Sequence, residues 1–168
     1  MMLKKTGVPS KKDIEGVLPS EDRLKRGPVA VIECFQKIPC DPCYHSCVRN
    51  AIKPFQDIND LPIVDHEICN GCSICMTHCP GLAIFIIDAE YSETESLIKL
   101  PYEMRPLPEE GEIVDTLNRQ GELVGEGRIE KVLLGKRQDK TAVISLAVPK
   151  GDLHEVRNFK LRRASSEK

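Results

Sequence analysis

Hydrophobic positions follow three different rhythms along this chain. Residues 29–33 (VAVIE) and 82–87 (LAIFII) are short, nearly unbroken apolar runs rich in β-branched residues. Such runs predict two strands. Between them apolar residues stand among cysteines, prolines and charges, with short apolar stretches at 48–52 and 81–84, each following a cysteine loop. Loop then short element occurs twice, a weak internal duplication. Further on, alternating or β-rich segments at 112–117, 122–134 and 141–148 predict strands. Asn118-Arg-Gln-Gly121 reads as a hairpin turn between the first two, and 137–140 as a polar break before the third. Pro101, Pro106 and Pro108 mark an irregular stretch, while 97–102 and 153–159 are expected to supply flanking strands. The pattern predicts a small antiparallel barrel or curled sheet.

The two ends differ from the middle. Residues 1–28 set Gly7, Pro9, Gly16, Pro19, Gly27 and Pro28 among many charges. That composition buries little apolar surface and predicts an extended arm that orders on a partner. The polar stretch 161–168 is expected to fray. The division is therefore 1–28, 29–90, 91–160 and 161–168, in an α+β chain.

Composition narrows the function. Aromatics are 4% of the 168 residues, Trp is absent and the net charge is −2, which speaks against a nucleic-acid binder. Charge is unevenly spread, at +3 over 1–28, −6 over 29–100 and +1 over 101–168. An acidic middle can steer toward a basic partner. No apolar stretch backs the basic start MMLKKTGVPSKK, and the longest apolar run, 82–87, is six residues. A membrane span needs roughly 20. The expectation is a cytoplasmic chain with no membrane span, in a compartment where structural disulfides are rare.

Eight cysteines then ask for a metal. Cys69-x2-Cys72-x2-Cys75-x3-Cys79-Pro80 is a tight run of thiols. Such a run places several thiolates around one iron–sulfur cube, and its fourth cysteine usually serves a second cube. Gly71 is expected to let the loop pass close to inorganic sulfide, and Pro80 to fix the exit from the loop. Cys34-x5-Cys40-x2-Cys43-x3-Cys47 shares the last two spacings and is stiffened by Pro39 and Pro42. Two four-cysteine zinc sites have the same ligand count, but zinc ribbons pair distant Cys-x2-Cys knuckles. No cysteine stands apart as a catalytic thiol, and no Gly-rich phosphate loop occurs.

Residues 29–88 resemble the two-cluster bacterial-type ferredoxins, through VAVIEC, PCDPCYHSCVRNAI and LPIVDHEICNGCSICMTHCPGLAIFII. The resemblance implies a ferredoxin-like core of pseudo-twofold β-loop-α-β units whose two [4Fe–4S] clusters exchange their fourth ligands. Cys34, Cys40, Cys43 and Cys79 would then hold one cluster, and Cys69, Cys72, Cys75 and Cys47 the other. The x5 gap after Cys34, and Val48 where that family commonly has Pro, depart from the pattern. The whole chain also looks like the small iron–sulfur subunits of flavin-dependent amine or amino-acid dehydrogenases of the dye-linked proline dehydrogenase type. That likeness rests on ECFQKIPCDPC, CPGLAI, GELVGEGRIEKVL and DKTAVISLAVP.

Other polar residues carry weaker expectations. His45 and His78 lie within the cysteine loops, where they are surface residues or donors to a cluster sulfur rather than ligands. Asp41, Asp57, Asp60, Asp65, Glu67 and Asp88 surround the cysteines; Asp88 is expected to cap a turn. Arg128, Lys131, Lys136, Arg137 and Lys140 form a mixed-charge basic stretch. The functional expectation is a non-catalytic electron-transfer subunit. It would work in a hetero-oligomer with a larger flavin-dependent dehydrogenase subunit, and with a further electron carrier. A free ferredoxin shuttle and a zinc-stabilised interaction module are the alternatives.

Overall fold

The computed structural model describes residues 3–138 and 140–162. Seven strands form one antiparallel sheet: β1 (Val29–Ile32), β2 (Ile84–Asp88), β3 (Glu95–Tyr102), β4 (Ile113–Leu117), β5 (Leu123–Leu133), β6 (Ala142–Pro149) and β7 (Asn158–Lys160). Their order is β1-β2-β3-β6-β5-β4-β7. The helices are short: α1 (Leu3–Thr6), α2 (Lys11–Glu15), α3 (Glu21–Leu24), α4 (Pro42–Ser46) and α5 (Ile74–Thr77).

The unbroken apolar runs have a simple cause. β1 and β2 are covered on both faces, so neither alternates. Val29, Val31, Phe85 and Ile87 point into one core, shared with Ile98, Leu100, Ile144 and Leu146 of the curled sheet. Ala30, Ile32, Ile84 and Ile86 point into a second core with Cys43, Cys75 and Met76. Each fully buried aliphatic side chain is worth roughly 1.5–3 kcal/mol. The later strands thus form the cover for one face of β1 and β2, and the cysteine loops form the cover for the other.

The sheet curls without closing. Tyr102 of β3 stacks on Phe159 of β7, ring centroids 5.0 Å apart, so the far edge folds back over the first strands. β1 and β7 are the two edges and do not pair. Of the two shapes expected, this is the curled sheet. Glu33, at the end of β1, laces the seam: its carboxylate accepts from Arg157 Nε at 2.6 Å and from Arg119 Nε and Nη2 at 2.8 and 2.7 Å.

The expected strands at 112–117, 122–134 and 141–148 correspond to β4, β5 and β6. The Asn118–Gly121 turn joins β4 to β5; Asn118 Oδ1 accepts from the N–H groups of Gln120 and Glu122. Four readings need correction. Residues 3–28 are not an extended arm, because Ser10 and Ser20 cap α2 and α3, and Arg23 and Leu24 are buried. The Ser10/Asp13 capping box closes α2 from both sides. Leu82 lies outside the strand at φ 51°, in a turn where its N–H reaches Cys79 O. Residues 153–157 are mostly turn, and only Asn158–Lys160 joins the sheet. Pro101 sits inside β3 instead of breaking it, at a point past the last β2 partner, Lys99. One side of the strand is open there, so a missing N–H breaks no ladder on it. From residue 163 on, the polar tail lies outside the described residues.

Candidate metal centre

Both cysteine loops carry a helix too short to hold four cysteines on one face. α4 starts at Pro42, whose fixed φ suits a first helical turn. Cys43 lies within it, but the helix stops at Ser46 and Cys47 turns out with an extended backbone (φ −77°, ψ 93°). The i, i+4 pair therefore parts company. α5 holds Cys75, is capped at His78, and releases Cys79 into the turn before β2.

The result is a partition. Cys47, Cys69, Cys72 and Cys75 line one cavity, with Ala30, Ile52, Val64 and Ile86. Cys34, Cys40, Cys43 and Cys79 line a second, with Ile32, Ile38, Pro62 and Ile84. The floors are successive rungs on one face of a ladder: Ala30 pairs with Ile86, and Ile32 with Ile84. Two residues along a strand is roughly 7 Å. An isolated bridge, Ile52 to Val64, ties the exit of the first loop to the entry of the second. Each four-cysteine group thus draws three thiols from one loop and one from the other.

Electrostatics show what these cavities require. Burial, then the neighbouring Cys69, Cys72 and Cys47, pushes the Cys75 thiol up to about 12. Burial and Cys79 push Cys43 up to about 11. Burial likewise raises Cys34 and Cys40. Such thiols stay protonated near neutrality unless cations hold them as thiolates, so metal binding here releases protons. Backbone N–H groups already face several sulfurs: Ala30 to Cys69 at 3.4 Å, Ala51 to Cys47 at 3.2 Å and Ala83 to Cys79 at 3.5 Å. Among the described residues no three His, Cys, Asp or Glu side chains converge as a single-ion site.

Gly71 meets a packing constraint besides the close approach to sulfide expected of it. Its φ is 66°, and a Cβ there would stand 2.7 Å from Pro28 Cβ and 2.8 Å from Pro28 C. The constraint is the strand entry behind the loop. His45 is exposed and pairs with Asp41 at 3.1 Å, while His78 Nδ1 lies 2.9 Å from Ile74 O. Neither lines a cavity. Asp60 lines the Cys34 cavity, Glu67 pairs with Arg26, and Asp88 accepts from the N–H of Glu90 in a turn. Asp57 bonds Asn59 locally. Arg128 bridges Glu95 and Glu130, far from the cysteine loops in the sheet.

Residue-level reading missed Arg23, Glu33, Arg119 and Arg157. Arg23 is 4% exposed and donates to the carbonyls of His66 (2.5 Å), Gly27 (3.0 Å), Pro28 (3.0 Å) and Cys69 (2.6 Å). The only signal for it was Ser20, a capping residue three positions earlier. Glu33 is largely buried; burial raises its pKa, but the bonds and charges of Arg119 and Arg157 outweigh this and hold the carboxyl below its usual range.

Comparison with known proteins bears on the second cysteine loop. Residues 62–85 match the model of the 4Fe-4S binding domain. Over 61 residues the chain is 34% identical to the ferredoxin-type protein NapF of Haemophilus influenzae, covering 35% of each. Over 47 residues it is 40% identical to pyruvate synthase subunit PorD of Methanocaldococcus jannaschii, covering 28% of this chain and 52% of that one. The chain thus spans about a third and about half of the curated relatives it matches. No solved structure matches it. The chain therefore carries a ferredoxin-type 4Fe–4S binding domain, which supports at least one cluster and a role in electron transfer. No helix among the described residues is long and apolar enough to cross a membrane.

Proposed function

We propose that each cavity holds one [4Fe–4S] cluster, and that the chain is the electron-transfer subunit of a larger flavin-dependent dehydrogenase. The observation that carries the first part is the even division of eight cysteines between two cavities floored by successive same-face rungs of one strand pair. Cys34, Cys40, Cys43 and Cys79 would hold one cluster, and Cys47, Cys69, Cys72 and Cys75 the other. A bound cluster supplies reversible one-electron chemistry. The chain's own residues hold it: the thiolates fix it, Ile32, Ile84, Ile86 and Ala30 exclude water from its inner side, and the alanine N–H groups face ligand sulfurs. No acid, base or nucleophile is assigned.

The crowding of four cysteines into the eleven residues 69–79 favours a cube over zinc, whose ribbons pair distant Cys-x2-Cys knuckles. The subunit reading is supported by resemblance to small iron–sulfur subunits, and by one relative being named a subunit of pyruvate synthase. The flavoprotein partner rests on resemblance alone.

The test is anaerobic purification from native cells, with iron, acid-labile sulfide and flavin measured on the same sample. Eight irons and eight sulfides per chain, with a copurifying flavin subunit, are expected. Zinc without sulfide would replace the cluster reading. A stable monomer carrying both clusters would leave a free electron shuttle.

A further inference from the structure

Arg23 is a buried cation whose four side-chain hydrogen bonds all end on neutral groups. It meets four carbonyls, and among the described residues no carboxylate is within ion-pair distance of it. Carbonyl dipoles satisfy its donors but cancel no net charge. A buried, unpaired guanidinium is costly unless an anion stands nearby. The side chain reaches the cysteine loop from behind, and one of its bonds ends on the carbonyl of Cys69 itself. Glu67 interacts with the Arg23 guanidinium through space without an ion-pair contact, and four thiolates around one cluster would add anionic charge on its Cys69 side.

The two cavities differ in this respect. Beside the Cys69 cavity stand Arg23 and the exposed Arg49, which lines it. Asp60 lines the Cys34 cavity. Arg119 and Arg157 reach Glu33, the residue before Cys34, but both are bonded to its carboxylate. Arg157 sits over Phe85, a residue of the core on the other face of the sheet. Positive charge close to a cluster favours its reduced, more negative form, and negative charge does the reverse.

We propose that Arg23 is a positioning residue for electron transfer: it fixes the second cysteine loop and makes the Cys47/Cys69/Cys72/Cys75 cavity hold the higher-potential cluster. This rests on the reading that each cavity holds a cluster. An electron entering the chain then resides first on the Cys69 side, with the Cys34 side as the lower-potential neighbour.

The experiment is an EPR-monitored anaerobic redox titration of the whole protein, after iron and sulfide have been counted. Cys72→Ser and Cys34→Ser variants assign each signal to its cavity. The Cys69-side cluster is expected to be reduced first. Arg23→Met is expected to lower that cluster's potential by the equivalent of about a tenfold change in electron sharing, ~59 mV for one electron, while the other shifts less. Arg23→Lys, which keeps the charge, is expected to retain most of the wild-type potential. Arg49→Gln, at an exposed position, should shift the same cluster in the same direction, and remains informative where Arg23→Met does not fold. Equal or inverted potentials in the wild-type protein, or equal shifts of both clusters in Arg23→Met, would overturn the inference and leave the two-cluster reading intact. Fewer than two clusters per chain would overturn both, and the iron count shows which has failed.

Discussion

Glu33 and Arg157 meet at 2.6 Å across the seam of the curled sheet, where the end of β1 approaches the entry to β7. Their side chains are 7% and 4% exposed. The pair is followed at once in sequence by Cys34, so the closure of the sheet and the start of the first cysteine loop share one residue step.

Breaking this pair from one side leaves a buried charge. Glu33→Gln is expected to cost about 3–5 kcal/mol, because Arg157 and Arg119 lose their carboxylate together. Anaerobic urea unfolding followed by far-UV circular dichroism measures it. The double variant Glu33→Gln/Arg157→Met should lose less than the sum of the single variants, since it also removes the stranded cation. Strict additivity would show that the two side chains act independently.

Gly71→Ala tests the close approach of the second loop to Pro28. An L-residue at φ 66° costs on the order of 1–2 kcal/mol, and the added methyl would meet Pro28 backbone at 2.8 Å. A drop in thermal midpoint and slower iron incorporation are expected. Gly151→Ala, where no atom lies within 4 Å of the new Cβ, is the control and should change little. Equal behaviour of the two variants would contradict the packing described.

His154 is expected to titrate below the ordinary 6.5. Burial lowers its pKa most, and Arg157 and Arg119 add repulsion; its Nδ1 is buried without a partner. The unfolded chain then takes up a proton at a higher pH than the folded one. The contribution to stability is full above about pH 6.5 and falls as the pH drops from there toward the folded-state pKa. A titration of the imidazole nitrogens by NMR reads this directly, and a value above 6.5 would refute it.

Iron removal should expose a graded set of thiols. In the metal-free protein Cys43, raised from 9.0 to about 11, is expected to alkylate about a hundredfold more slowly than an ordinary thiol near pH 8. Cys75, raised to about 12, should be slower still, and the exposed Cys72 should react early. Mass spectrometry after timed iodoacetamide treatment gives the order. In the loaded protein all eight should be protected; labelling of Cys34 or Cys79 there would mean the second cavity is empty of metal.

Much of the sheet was legible because its signals are local. Alternation marked β4 and β5, and the Asn118 to Gly121 turn set their pairing. The runs at 29–33 and 82–87 read as strands, although what covers both their faces was not visible. The N-terminal stretch was misjudged because its order comes from a few anchors. Arg23 ties it to carbonyls more than 40 positions away in sequence, at His66 and Cys69, and composition cannot report such bonds. Leu82 left its strand because the turn after Cys79 imposes a left-handed backbone on an apolar residue.

The chain's order of residues was enough to name the chemistry. Thiol spacing of two and three residues is a property of covalent sequence, and it restricts what a short loop can enclose before any fold is known. Spacing alone left open which thiol faces which cavity, a division that only the resemblance to two-cluster ferredoxins implied, and which charges face each thiol. Those follow from where two four- to five-residue helices stop, from successive same-face rungs of β1 and β2, and from a guanidinium inserted from another part of the chain. Coulomb interactions act through space, and only the packed molecule sets those distances.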